Sequence, residues 1–398
     1  MKALPPLLVF SHLRWGFVHQ RPQHLLNRLA RHWRVIYVEE PVRVAPGAER
    51  LEERHVVEGE GAAITLLVPH TSVEAGGFHD DQLPALQAQL ADWLQGEQIQ
   101  EALVWLYTPM ALPLVKLVRP RLLIYDCMDE LSAFLGAPRQ LRQRETALLR
   151  SADLVFTGGP SLYEAKRHLH PHVSCVPSAV DAAHFAGGGS PAANETAQGL
   201  QRHLPYPRLG FFGVIDERLD IALLTQLADA RPDWQLVMVG PVIKIDPAAL
   251  PRRDNVHWLG MQGYEVLPAL LKDWDLCLLP FALNEATRFI SPTKTLEYLA
   301  AGKPVVSTAI RDVSVLYGEA VHVAGGGEAF VQACAAELDR SAEQQRHQRA
   351  KAAALVAANS WDRSAAKITA TIEQALGGAV RDIGTDEQLL AALSVGAE

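Results

Sequence analysis

RFISPTKTLEYLAAGKPVV, Arg288–Val306, is the stretch from which the rest of the chain can be read. An apolar run, LCLLPF from Leu276, precedes it, and a second one, PVVST from Pro304, closes it. A helix between two short buried strands is the expected arrangement. Ser291 suits the cap, Pro292 the first helical position and Gly302 the close, while Pro304 blocks continuation. Lys294 conflicts with this pattern, because the first turn of a helix disfavours a cation. It also occupies the position where a capping box would place an acid. A bound phosphate would remove the conflict, since first-turn N–H groups and an ammonium would then face the same anion. Glu297 lies one turn on and shares the face with Lys294. A carboxylate that accepts two hydrogen bonds suits a ribose diol beside phosphates. The alternative is a surface helix whose Lys and Glu are both solvated.

The same alternation extends outward in both directions. The first half carries LLVF (from Leu7), RVIYVE (Arg34), ITLLVP (Ile64), ALVWLY (Ala102), LLIYDC (Leu122), LVFTG (Leu154) and VSCVP (Val173). The second carries RLGFFG (Arg208), QLVMVG (Gln235), VHWLG (Val256) and VHVAG (Val321) besides the two runs above. Near-continuous apolar strands separated by helical segments predict α/β domains with parallel sheets covered on both faces. With 398 residues, 48% hydrophobic and 21% charged, the chain has room for two or three globular domains. Phe185–Pro207 is rich in Gly, Ser, Ala and Pro and has little periodicity, which reads as a linker. The expected division is therefore a first Rossmann-like domain over 1–190, a linker over 191–206 and a second Rossmann-like domain over 207–358. Residues 359–398 would supply a helix around Trp361 and an acidic tail from Asp382. Ligands of open α/β sheets bind beyond the carboxyl ends of strands, so two such domains facing each other predict a cleft lined by those loops.

Composition excludes several classes. A net charge of −8 argues against a nucleic-acid partner, whose binding needs phosphate neutralisation. Cys127, Cys175, Cys277 and Cys334 are widely spaced and read as reduced thiols. The prolines of MKALPPLLVF break the apolar run that a signal peptide needs, and no apolar stretch reaches the ~20 residues of a membrane span. A cytoplasmic protein is expected. The alternating histidines of His168–His172 lack a companion ligand cluster, no G-x-G-x-x-G follows the first strand, and the chain is read as having no Asp-any-Asp pair anywhere. Neither metal nor cofactor is expected. Arg139, Arg142, Arg144 and Arg150, with Arg28, Arg31, Arg34 and Trp33, form basic faces whose ordinary reading is solvation. Peripheral contact with anionic lipid on the inner face of a membrane is the alternative.

Other strand-end loops carry candidate chemistry. In GFFGVIDERLD the strand ends at Gly213, and Arg218 is placed to clamp a diphosphate. In VMVGPVIKID, Lys244 follows Gly240. The loop FSHLRWGFVHQRPQHLL brings His12, Arg14, Trp15, His19 and Arg21 to a strand end, a density of donors and rings that suggests substrate contact. YDCMDEL places Asp126 and Asp129 where they would accept from sugar hydroxyls or act as a base. A core-facing Asp that holds a loop together is the competing reading. The turn TGGP (Thr157–Pro160) suits a close backbone approach.

Taken together, SPTKTLEYLAAGKPVVST, GFFGVIDERLD, NVHWLG…DLCLLPF, PSAVDAAHF and SWD resemble the GT-B glycosyltransferases, and within them the family 4 type of retaining enzyme. FSHLRWGFVHQRPQHLL, YDCMDE and FALNEATRFISPTKTLEY are similar to a subgroup found with bacterial surface-polysaccharide synthesis. The resemblance implies a nucleoside-diphosphate sugar, with a UDP-sugar favoured, held mainly by the second domain. A glycan or lipid-linked acceptor would lie mainly on the first. Arg218 and Lys294 would match the basic residues on the diphosphate, and Glu297 the glutamate that holds the ribose. Ser291, Pro292, Thr293, Gly213, Lys244, Glu285 and Arg288 would surround the donor, and Asp126 or Asp129 would orient the acceptor. The terminal helix would cross back to the first domain. Two positions depart from the pattern. Phe289 stands where the family often has Glu, and Met128-Asp129 where many members have His-Asp. The same fold also hosts nucleotide-sugar epimerases, and a non-catalytic sugar-nucleotide binder is the third reading.

Overall fold

The computed structural model describes residues 4–57 and 62–378. The acidic tail from Asp382 lies outside the described residues. The chain folds as two compact units. The first runs to Ser132, resumes over Gly136–Pro177 and takes the chain from Asp362 on; the second comprises Ala133–Leu135 and Ser178–Trp361.

Among the described residues, the first unit has a nine-stranded sheet. In chain order its strands are β1 (Leu7–Phe10), β2 (Val35–Val38), β3 (Val42–Arg43), β4 (Arg50–Val56) and β5 (Ile64–Thr71), followed by β6 (Glu101–Leu106), β7 (Arg119–Cys127), β8 (Leu154–Thr157) and β9 (Val173–Cys175). The spatial order is β3-β5-β2-β1-β6-β7-β8-β9, with β4 antiparallel on β5. All other pairs are parallel, and Leu7 stands opposite both Val35 and Leu103. β1 and β2 are fully buried apolar runs and β6 becomes one after Glu101, as a sheet covered on both faces requires. The covering helices show the matching period: in Leu83–Gly96 the buried residues are Leu86, Leu90 and Leu94. Strands β3 and β4 carry no apolar run, and RLEERHV is mostly exposed, which is why apolar patterning passes over them.

The second unit has a sheet of six parallel strands among the described residues: β10 (Arg208–Phe212), β11 (Gln235–Val239), β12 (Val256–Trp258), β13 (Leu276–Leu279), β14 (Val305–Thr308) and β15 (His322–Ala324). Their order is β12-β11-β10-β13-β14-β15. The chain therefore winds outward from β10 in one direction and from β13 in the other. The crevice of such a sheet lies where the winding reverses, beyond the carboxyl ends of β10 and β13. Phe211, Phe212, Trp274, Leu278 and Tyr298 fill the core beneath it.

Pro191–Gln201 corrects the linker expectation, because it forms a helix. Ser190 Oγ caps it by accepting the Ala193 N–H (3.2 Å), and Pro191 takes the first position. Ala193, Ala197 and Gln201 are buried, and Gln201 donates to the Leu270 carbonyl (3.1 Å). The small residues that hid the apolar pattern are what allow this close packing.

The last described helix, Trp361–Gly377, belongs to the first unit from Asp362 onward. Asp362 accepts from Arg28 at 2.9 and 3.3 Å, and Lys367 donates to the Cys175 carbonyl at 2.8 Å. Ile368 and Ile372 are fully buried. No helix among the described residues is long and apolar enough to cross a membrane. The four cysteines are unbridged.

Candidate donor site of the second unit

Three strand-end loops are tied together beyond the carboxyl edge of the second sheet. The loop after β10 bridges the loop after β11, with Ile215 N–H donating to the Pro241 carbonyl and Ile243 N–H to the Ile215 carbonyl (both 2.9 Å). It also pairs with the segment after β13, where Ala282 N–H donates to the Arg218 carbonyl (2.8 Å) and Asp220 N–H to the Pro280 carbonyl (2.9 Å). This fixes the backbone of Gly213–Asp220 on both sides, so groups on it are held in place before any ligand arrives.

Lys294 stands at the first position of the helix Lys294–Ala300. That helix begins two residues later than its sequence suggests, with Ser291 and Pro292 ahead of it, and it is seven residues long. The macrodipole of so short a helix adds little, which leaves the ammonium as the main charge. The Lys294 side chain lies over Gly213, whose φ is +138°. A Cβ at position 213 would overlap Cε and lie 2.7 Å from Nζ. Gly240, with φ of +145°, backs this arrangement, because a Cβ there would overlap the Gly213 carbonyl oxygen. Both backbones occupy a region that L side chains rarely adopt. The Lys294 Nζ also sits 5.8 Å from the Phe211 ring centroid.

Glu297 is buried behind Lys294 on the same helix face. Burial pushes its carboxyl up to about 7, against the pull of the Lys294 charge. The native state therefore holds a proton that the unfolded chain releases between pH 4.5 and 7, so this group lowers stability as pH rises through that window. Glu297→Gln, which is neutral at every pH, is expected to be more stable than wild type by about 3 kcal/mol at pH 8 and nearly equal at pH 4.5. Urea midpoints at the two pH values check this, and a gap that does not widen with pH would contradict it.

Arg218 is fixed by Asp216, whose carboxylate takes Nε at 2.9 and 3.0 Å and Nη2 at 2.6 Å. Its guanidinium carbon lies 5.5 Å from the Phe134 ring centroid, and the Lys244 ammonium lies 5.7 Å from the same ring. Phe134 carried no sequence signal. It reaches this site through tertiary packing of Ala133–Leu135 on the second unit.

Three further candidates lie on the segment between β13 and the helix Lys294–Ala300, where Asn284 donates to the Glu217 carbonyl at 3.3 Å. Glu285 and Arg288 pair with each other at 3.6 Å with side chains 79% and 63% exposed, and Arg288 covers Phe289 (5.2 Å). Thr293 precedes the helix and accepts its first backbone bonds from Leu296 and Glu297. The chain does contain one Asp-any-Asp pair, Asp273 and Asp275, ahead of β13. Asp275 accepts the Arg208 N–H (2.7 Å) and Asp273 lies 3.8 Å from the Arg208 guanidinium, at the amino edge of the sheet, the opposite edge from Lys294.

The first unit corrects several expectations. Arg21 and Asp126 are both fully buried and form a bidentate pair (3.0–3.2 Å), with Arg21 also donating to the Val176 carbonyl at 2.7 Å. Burial pushes the Asp126 carboxyl up while Arg21 pulls it down. This pair joins the first helix to the ends of β7 and β9 and is structural, not a substrate contact. Trp15 is buried edge-on against Tyr37 (5.1 Å). Arg14 donates to Glu39 (3.0 Å) and to the Glu40 and Pro41 carbonyls, stitching its loop to the end of β2. His12, His19 and Asp129 are half-buried at the carboxyl ends of β1 and β7, and His19 packs edge-on to His24 (4.4 Å). The basic faces are also largely paired. Arg28 and Arg31 meet Asp362, Arg34 meets Glu97, Arg144 meets Asp80, and Trp33 is core. Arg139, Arg142 and Arg150 are exposed.

The architecture has counterparts among solved structures. Sucrose-phosphate synthase from Thermosynechococcus elongatus superposes with a TM-score of 0.69 at 15% identity, covering 94% of this chain and all of that one. The E. coli trehalose-6-phosphate protein bound with UDP-2-fluoro glucose gives 0.67 at 11% over the same shares. Anabaena HepE in complex with UDP gives 0.63 at 15%, covering 93% and 100%. At these identities the likeness establishes the fold, which is that of the GT-B class.

Residues 207–340, within the second unit, match the model of the family described as glycosyl transferases group 1. In sequence the chain is 26% identical over 240 residues to the teichuronic acid biosynthesis glycosyltransferase TuaH of Bacillus subtilis. That match covers 56% of this chain and spans 59% of the length of the relative.

Proposed function

We propose that the protein transfers a hexose from a nucleoside-diphosphate sugar, a UDP-sugar in the first instance, to a glycan or lipid-linked acceptor in surface-polysaccharide synthesis. The observation that carries this reading is the Lys294 ammonium seated over Gly213 at the switch point of a six-stranded parallel sheet, with Glu297 buried behind it. A leaving nucleoside diphosphate gains negative charge in the transition state. Lys294 and Arg218 would stabilise that charge, with Lys244 adding to the field. Glu297 would accept from the ribose diol. The transfer needs no resident metal in this reading, since the cations stand where a metal–diphosphate bridge would act. It also needs no protein nucleophile, because the acceptor hydroxyl attacks from the side the diphosphate leaves and the configuration is retained. His12, His19 and Asp129 are the first-unit side chains proposed for the acceptor. Peripheral contact with anionic lipid would rest on Arg139, Arg142 and Arg150.

The names of the similar proteins support this assignment: one is a teichuronic acid biosynthesis glycosyltransferase, and two are solved with UDP or a UDP-sugar. Calorimetry against UDP-, GDP-, ADP- and TDP-sugars tests it. Binding of one class is expected, followed by transfer that survives EDTA and gives a product of unchanged anomeric configuration. Silence from all four sugars would overturn the donor reading, and loss of transfer in EDTA would overturn metal independence. Conversion of the donor alone to an epimer would favour an epimerase instead.

A further inference from the structure

Among the described residues, Phe134 is the one aromatic ring that meets two of the candidate donor cations at once. Arg218 Cζ and Lys244 Nζ lie 5.5 and 5.7 Å from its centroid, within the range of a cation–π contact. The ring is held in place by its own segment, since the Leu135 N–H donates to Glu217 Oε1 at 3.2 Å, on the residue next to Arg218. Lys244 is held less firmly by itself. Its φ of +62° is left-handed, an uncommon state for a non-glycine residue. The Ile243 N–H to Ile215 carbonyl bond anchors the backbone just before it to the loop that carries Arg218. Two like charges brought to one site repel each other. Asp216 offsets part of this by gripping Arg218.

From these contacts we infer that Phe134 is a positioning residue of the donor site. Its ring engages both Arg218 and Lys244, so that the two cations are held to serve one diphosphate. The inference rests on the donor reading above and goes beyond it by assigning a role to a residue outside the expected site. It requires a π face, not merely an apolar filler, and this separates it from simple packing.

The test is UDP binding by calorimetry, with the donor KM measured in parallel, for Phe134→Ala, Phe134→Leu and Phe134→Trp. Thermal denaturation confirms that each variant is folded. About tenfold weaker UDP binding and a matching rise in donor KM are expected for Ala and Leu alike, with Trp restoring both, as a contact of ~1.4 kcal/mol implies. A leucine variant indistinguishable from wild type would reduce the contact to packing and overturn the inference. Tighter UDP binding by the alanine variant would also overturn it, by showing that the ring competes with the diphosphate. If the wild type itself binds no UDP, the UDP reading fails and this inference fails with it; binding that is indifferent to position 134 sinks the inference alone.

Discussion

Lys294→Ala is expected to lower the turnover of sugar transfer about 100-fold or more, with a smaller effect on donor KM. The magnitude follows from the removal of a fixed donor aimed at developing charge, which typically costs 10²–10³ in rate. The asymmetry follows from when the charge appears. A diphosphate ester already binds through its existing charges, and the extra charge of the leaving group develops only as the glycosidic bond breaks. An ammonium fixed over Gly213 would therefore gain most in the transition state. Steady-state kinetics at saturating donor decides the matter. A variant with wild-type turnover would remove Lys294 from the chemistry, and one that raised only KM would make it a ground-state anchor.

Asp126→Ala should cost about 3–5 kcal/mol of stability, the range for removing one partner of a buried ion pair. The physical reason is the Arg21 guanidinium, which would remain fully buried with its carboxylate removed. Urea unfolding gives the answer directly. If the variant unfolded at the wild-type midpoint and had lost only turnover, the structural assignment would be wrong and a chemical role for Asp126 would return.

Asp126 also shows what a sequence can and cannot convey here. That a strand ends in YDC was legible, because apolar runs bounded by polar turns mark parallel strands. Whether the aspartate faces a ligand or an arginine depends on a residue 105 positions away in the chain, and no local pattern encodes that distance. The loop after β1 misled for the same reason, since Arg14 and Trp15 have the composition of a binding loop but are engaged by Glu39 and Tyr37. The second unit was easier to read. Its candidate site is built from glycines and a lysine at strand and helix ends, positions that backbone conformation restricts on its own. Local reasoning still overestimated the helix that follows β13 by two residues, placing Pro292 inside it. Helix Pro191–Gln201 was missed because alanine packs well and leaves no hydrophobic stripe. Phe134 had no signal at all.

The seating of Lys294 over Gly213 has a consequence for inheritance. The strand end at position 213 is left blank, and the group that fills it is encoded far downstream, in another helix. A side chain gained at 213 would evict the ammonium without touching its codon, and one gained at 240 would act through the carbonyl of 213. Alleles at these three scattered positions should therefore behave as a single locus. Once one is lost, changing a second does little further harm, so the route by which descendants of this chain could rebuild the site narrows to simultaneous change.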